Sequence, residues 1–204
     1  MVELIVLVMA EYMVDDSPLW YRGSREHVGV ADAEGLGLSA SLRDDLRAWN
    51  DVYDSRSEPD FAWSSAEERD AHRVTAFTLA SRVQLELGDD AHVWCGAGQG
   101  IDMVASGGRA VVLTSNQAGT DVLFLRDGNG DRMTARAAGL REGTAKAIVR
   151  WRAVTERVDR PFGGAETRAL GLRTAGRMQS DLGTEAQVVF TAGVWAPDRH
   201  DQVD

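Results

Sequence analysis

The 204-residue chain has a single cysteine, Cys95. One thiol excludes an internal disulfide and any metal site built from several cysteines. Lysine is nearly missing as well: Lys146 is the only one, and arginine supplies the rest of the 22 basic residues. No apolar stretch is long enough to cross a bilayer. The longest, Leu4 to Ala10, falls far short of the roughly 20 residues that a spanning helix needs. Glu3 and Glu11 bracket it, so the basic start of a secretory signal is lacking and a cytoplasmic location is expected. The four histidines show no metal-ligand spacing.

What is present is acid, unevenly placed. The net charge is −10. Residues 1–102 carry 8 basic and 20 acidic side chains, net −12, while residues 103–204 carry 14 and 12, net +2. An acidic half repels phosphate backbones, which excludes general nucleic-acid binding. It attracts a basic partner and speeds the encounter, and it also keeps the chain soluble.

The chain repeats itself. LASRVQLELGDDAHVWCGAG, residues 79–98, aligns with TAGRMQSDLGTEAQVVFTAG, residues 174–193. Arg82 meets Arg177, Gln84 meets Gln179, Leu87-Gly88 meets Leu182-Gly183, and Val93 meets Val188. Further upstream Trp49 in LRAWNDVYD faces Trp151 in IVRWRAVTE, at a slightly longer shift that the loop SRSEPDFAWSS accounts for. Two matches separated by a length change point to duplication. The expected division is a first, acidic repeat unit over 1–98, a join over 99–108, a second unit over 109–196, and a frayed tail over 197–204.

Each unit reads alike. Leu42, Leu46, Trp49 and Tyr53 form one helical stripe, matched by Ile148, Trp151 and Val154. A second helix follows, with Ser64 or Ser65 as N-cap and Glu67 and Glu68 in its first turn. Its stripe is Phe77, Ala80, Val83 and Leu87, matched by Leu172, Ala175, Met178 and Leu182. Gly88 and Gly183 stand where a left-handed C-terminal residue belongs. Short strands come next, at residues 91–95 and 186–190. VELIVLVM, apolar on both alternating sets, predicts a buried central strand. RAVVLT and TDVLFLR predict further strands, and DGNG at 127–130 a hairpin turn. The fold class expected is α+β: two related β-α-α-β halves, with a mainly antiparallel sheet and helices on one face. The halves either share one sheet or abut as two modules.

The chemical motifs fail on inspection. GAGQG at 96–100 lacks the third glycine of a dinucleotide turn, where Ile101 stands, and no long helix follows. DGNGD starts like a calcium loop, but Arg132 replaces the sixth-position glycine and Ala138 the closing glutamate. Cys95 is matched by Phe190, which reads as a core strand position, not a nucleophile. His92, matched by Gln187, reads as polar and outward, and His72 is matched by Thr167. Asp44, Asp51 and Asp54 lie off the apolar stripe, on a solvated side. No catalytic set, metal site or cofactor is predicted.

Aromatic loops remain. PLWY, residues 18–21, and FAW, residues 61–63, combine large rings with acidic neighbours. Such segments either cover a core edge or form a binding hot spot. The candidate partner-binding residues are Asp15, Asp16, Trp20, Tyr21, Asp60, Phe61 and Trp63. AEYMVDDSPLW (10–20), LRDDLRAWNDVYD (42–54) and LASRVQLELGDDAHVW (79–94) make the first half resemble a group of small actinobacterial proteins, a resemblance that implies no activity. The second half lacks the PLW loop, so a shared site belongs to the first half. The reading that follows is a non-enzymatic cytoplasmic protein-binding module of an immunity or antitoxin type, covering a basic protein with its acidic aromatic surface. The alternative is a carboxylate-based or metal-assisted enzyme with a site near Glu11, Asp15 and Asp16.

Overall fold

Leu4–Val8 is apolar on both alternating faces and forms β1, an interior strand. The computed structural model describes residues 4–14, 17–22, 26–56, 61–98, 110–114, 119–126, 129–157 and 163–191. After β1 come β2 (Leu19–Arg22), α1 (Ala40–Asp54), α2 (Ala66–Leu87), a 3-10 turn (Gly88–Asp90) and β3 (Ala91–Cys95). The second half runs β4 (Ala110–Leu113), β5 (Asp121–Arg126), β6 (Asn129–Thr134), α3 (Glu142–Thr155), α4 (Ala165–Leu182) and β7 (Gln187–Phe190). The expected join at 99–108 and tail at 197–204 lie outside the described residues.

The strands form one sheet in the order β2-β1-β3-β7-β4-β5-β6. β1 is antiparallel to β2 and parallel to β3; β4 is antiparallel to β5 and parallel to β7. β5 and β6 form a hairpin whose register pairs Arg126 with Asn129, as the DGNG turn predicts. Antiparallel pairings outnumber parallel ones, and the fold is α+β. The two halves therefore share a sheet and follow the same path through it, with β6 added at one edge. They meet where β3 and β7 run antiparallel, through the pair Cys95 and Phe190. Each of these residues faces its own sequence counterpart, which places an approximate twofold axis at the seam.

Alternation along the strands separates two apolar faces. Val6, Val8, Leu19, Val93, Cys95, Val111, Leu113, Val188 and Phe190 join the helix stripes in the main core. Leu7, Met9, Ala110, Val112 and Val189 point the other way, with Trp20 and Trp94 half-buried against them. The described helices thus pack on one face. PLWY differs from the expected loop: Leu19–Arg22 is strand β2, registered against Ile5–Val8. Pro18 precedes the strand, where its missing N–H is harmless, and Leu19 turns inward while Trp20 turns outward.

The helix ends follow the sequence. Ser65 caps α2, its hydroxyl accepting from Glu68 N–H at 3.0 Å, while Glu68 reaches back to Ser64 N–H at 3.2 Å. Gly88 and Gly183 close α2 and α4 with φ of +72° and +53°. α2 and α4 lie antiparallel against each other. Gly176 sits against Phe77, and Arg173 donates to Ser81 Oγ at 3.0 Å. At one end Arg168, only 2% exposed, reaches from α4 to carbonyls of Asp89 and Ala91 at 3.0 Å and to Gln84 Oε1 at 3.2 Å. At the other end Arg73 of α2 approaches Gly183 O at 3.5 Å. Each half thus completes the helix end of the other.

Candidate protein-binding surface

The first half carries an aromatic cluster where the exit of β1, the end of α1 and the start of α2 converge. Its base is Trp49, which donates from Nε1 to His72 O at 3.0 Å and stacks on the His72 ring at 4.6 Å and 16°. His72 Nε2 lies 3.2 Å from Trp49 O. A carbonyl only accepts, so Nε2 carries the proton. Burial pushes the His72 pKa down to about 4, and the ring is neutral at pH 7.

Above this base the rings continue outward. Trp63 lies 4.8 Å from His72, Tyr53 lies 6.3 Å from Trp63, and Tyr12 lies 4.8 Å from Tyr53 and 4.9 Å from Phe61. Arg56 threads the group. Its guanidinium carbon is 3.7 Å from the Tyr53 centroid, 4.6 Å from Trp63 and 5.3 Å from Tyr12. Such cation–π contacts contribute about 0.5–2 kcal/mol each, according to burial. The same guanidinium donates to Tyr53 O at 3.0 Å and Phe61 O at 3.1 Å, fastening the chain that leaves α1 to the chain that leads into α2.

The outer edge of the cluster is held in unusual backbone. Met13 has φ +58° and is 90% exposed; Phe61 has φ +47° and is 40% exposed. Left-handed backbone costs a side chain with a Cβ about 1 kcal/mol. Here it turns two large apolar groups toward solvent, side by side with Tyr12. Met13 N–H is fixed by Asp54 Oδ1 at 3.2 Å. Asn50, buried, grips the neighbouring Glu11 through both N–H and C=O, at 3.0 and 3.1 Å. The Tyr12 hydroxyl is shielded from solvent and has no hydrogen-bond partner among the described residues. Asp54 and Glu68 are exposed at the margin.

The structure brings only part of the sequence-predicted set together. Phe61 and Trp63 lie in the cluster. Trp20 does not: it stands on the opposite face of the sheet, with Nε1 donating to Met9 O at 3.1 Å. Tyr21 points to the helix side, packs against the core and meets His27 at 5.1 Å. Asp15, Asp16 and Asp60 lie outside the described residues. Of the alternative site, Glu11 has a carboxylate oxygen that accepts from Tyr12 N–H at 2.9 Å. Among the described residues no group of three or more His, Cys, Asp or Glu side chains could hold a metal ion. No described helix is long and apolar enough to cross a membrane.

Sequence reasoning missed Tyr12, Met13 and Arg56, and placed Tyr53 only in the core stripe. EYM directly before the acidic loop was the available signal for the first two. His92 lies on the sheet face away from the helices, as expected, but is buried rather than outward. Cys95 is buried in the core, and burial pushes its thiol up to about 12.

A half-buried ring-and-arginine cluster on an α+β scaffold, with Met13 and Phe61 exposed at its edge, has the features of a protein-binding module. Residues 5–95 match the family model described as Serratia CdiI immunity protein-like. The match covers fewer than half of the 204 residues and ends on Cys95, the last residue of β3, so it spans the first half of the sheet and its two helices. No curated protein and no solved structure matches the chain.

Proposed function

We propose that this chain is an immunity protein that acts in the cytoplasm, binding a toxin protein through the patch of Tyr12, Met13, Tyr53, Arg56, Phe61 and Trp63. The observation that carries the reading is the coincidence of the immunity-protein-like match with the half that bears the patch. The physics agrees with it. Interface anchors are enriched in Trp, Tyr and Arg, and Met and Phe suit a packed contact. Stacking already holds the rings, so less side-chain entropy is lost on binding. The surrounding half is strongly acidic, and steering then favours a basic toxin.

The test uses the tagged full-length chain to capture proteins from lysate of its own host, at low and at high salt. The expected result is one basic protein enriched at low salt, whose production alone arrests growth and whose co-production with this chain does not. Met13→Ala with Phe61→Ala, and Trp63→Ala separately, should each weaken the complex about tenfold or more. Trp20→Ala, on the far face of the sheet, is the control. Capture that survives all the patch variants, or no capture at either salt, overturns the reading.

A further inference from the structure

The two halves share a scaffold but present opposite charge on the outer side of their helices. In the first half Arg82 of α2 is neutralised by Asp45 of α1, Nη1 to Oδ2 at 2.6 Å. Their counterparts in the second half are Arg177 and Ala147, so the arginine is kept and its carboxylate is lost. Asp44 is likewise replaced by Lys146, Ala48 by Arg150 and Thr78 by Arg173. The result is a groove of about 260 Å³ between α3 and α4, with Lys146, Arg150, Arg173 and Arg177 on its walls and Leu170 and Gly143 in its lining. Lys146 pairs with Glu142 at 2.6 Å, and Arg173 is tied to Ser81. Arg150 and Arg177, both exposed, have no ion-pair partner among the described residues. A second hollow shares Gly143 and Arg177 and leads on to Arg141.

We propose that this groove is a second binding site, and that its occupant is an acidic segment of a partner protein, with carboxylates spaced along an apolar backbone-hugging strand. Three observations select this chemistry. The cations are spread along the groove: Lys146 to Arg150 on α3, and Arg173 to Arg177 on α4, each span roughly 6 Å at the helical rise. Carboxylates two residues apart in an extended chain stand about 7 Å apart, which matches this one-turn spacing and lets successive acids meet successive cations. Leu170 supplies an apolar contact that a segment with leucine or valine between its acids would cover. Finally, the other half carries net −12, which repels a long polyphosphate strand running across it more than a short acidic peptide confined to the groove, where salt screens that field. The site is independent of the aromatic patch, which lies on the other half of the helix layer.

The test is fluorescence anisotropy of the full-length chain with a labelled peptide of alternating glutamate and leucine, against the same design built on lysine. The acidic peptide should bind, and raised salt should weaken it. Arg150→Glu with Arg177→Glu should lower its affinity about tenfold or more, with an unchanged thermal melt because both side chains are exposed. Phe61→Ala should leave it untouched. Equal binding of the lysine peptide, no binding of the acidic one, or an affinity that the double charge reversal does not change overturns the proposal. Displacement of the peptide by inorganic phosphate or an oligonucleotide at comparable charge concentration overturns it in favour of a phosphate site. Self-association of the chain that the same double variant abolishes overturns it in favour of a second copy as occupant.

Discussion

Gln84 and Gln179, 95 positions apart, make the same three hydrogen bonds. Both are fully buried. Gln84 Nε2 donates to Gly88 O and Ala91 O at 2.9 Å, and its Oε1 accepts from Val93 N–H at 3.0 Å. Gln179 Nε2 donates to Gly183 O at 2.7 Å and Ala186 O at 3.1 Å, and its Oε1 accepts from Val188 N–H at 2.9 Å. Each amide closes the tight passage from helix to strand. Gln84 alone also receives Arg168 from the other half.

That difference predicts unequal costs. Gln179→Leu removes partners from buried backbone groups and should cost about 2 kcal/mol. Gln84→Leu also strips an acceptor from a buried guanidinium and should cost about 3 kcal/mol or more. Urea unfolding of both variants checks this. Equal losses would show that Arg168 gains nothing from Gln84.

Gly171 has no room for a side chain. A Cβ there would lie 2.5 Å from Phe190 Cε2 and 2.7 Å from Trp151 Nε1, both on rigid buried rings. Gly171→Ala should therefore destabilise by about 1–3 kcal/mol, despite the better helix propensity of alanine. Gly143→Ala meets nothing within 4 Å and should leave stability unchanged or raise it by up to about 1 kcal/mol. Thermal melts of the two variants separate packing from propensity.

His72 makes stability fall in acid. Its folded pKa of about 4 lies below the usual 6.5, so the unfolded chain takes up the proton first. The stability from the neutral ring is complete above about pH 6.5 and is lost as pH falls toward 4, by up to about 3 kcal/mol. His72→Phe keeps a stacked ring without the titration. Its urea midpoint should vary less than wild type between pH 7 and 4.5. An identical pH slope in both proteins would falsify the assignment.

Cys95 should be silent. Buried in the sheet seam with its thiol pushed up to about 12, it offers almost no thiolate at pH 8. A thiol reagent should label no cysteine in the native protein and one per chain in urea. Fast native labelling would show that the seam opens.

Much of this architecture is legible in one sequence because local chemistry agrees with the fold. Leu42, Leu46 and Trp49 repeat at the helical period and are buried together; Gly88 and Gly183 end helices where only a positive φ continues the chain. β2 escaped notice because four residues after a proline carry little periodic signal, and pairing with β1 is what extends them. The patch was only half legible. Trp20 and Trp63 look equivalent as composition, yet the pleat sends Trp20 to the opposite sheet face. Arg56 acquires its role only when folding brings Phe61 O within reach, which no local pattern encodes.

The exchange of Arg73 and Arg168 between the halves bears on how the chain can be divided. A fragment ending near Cys95 would retain every residue of the immunity-protein-like match, yet the last turn of α2 would lose Arg168, its buried donor. The remainder would lose Arg73 in the same way. The family match thus stops at a boundary that hydrogen bonds cross in both directions.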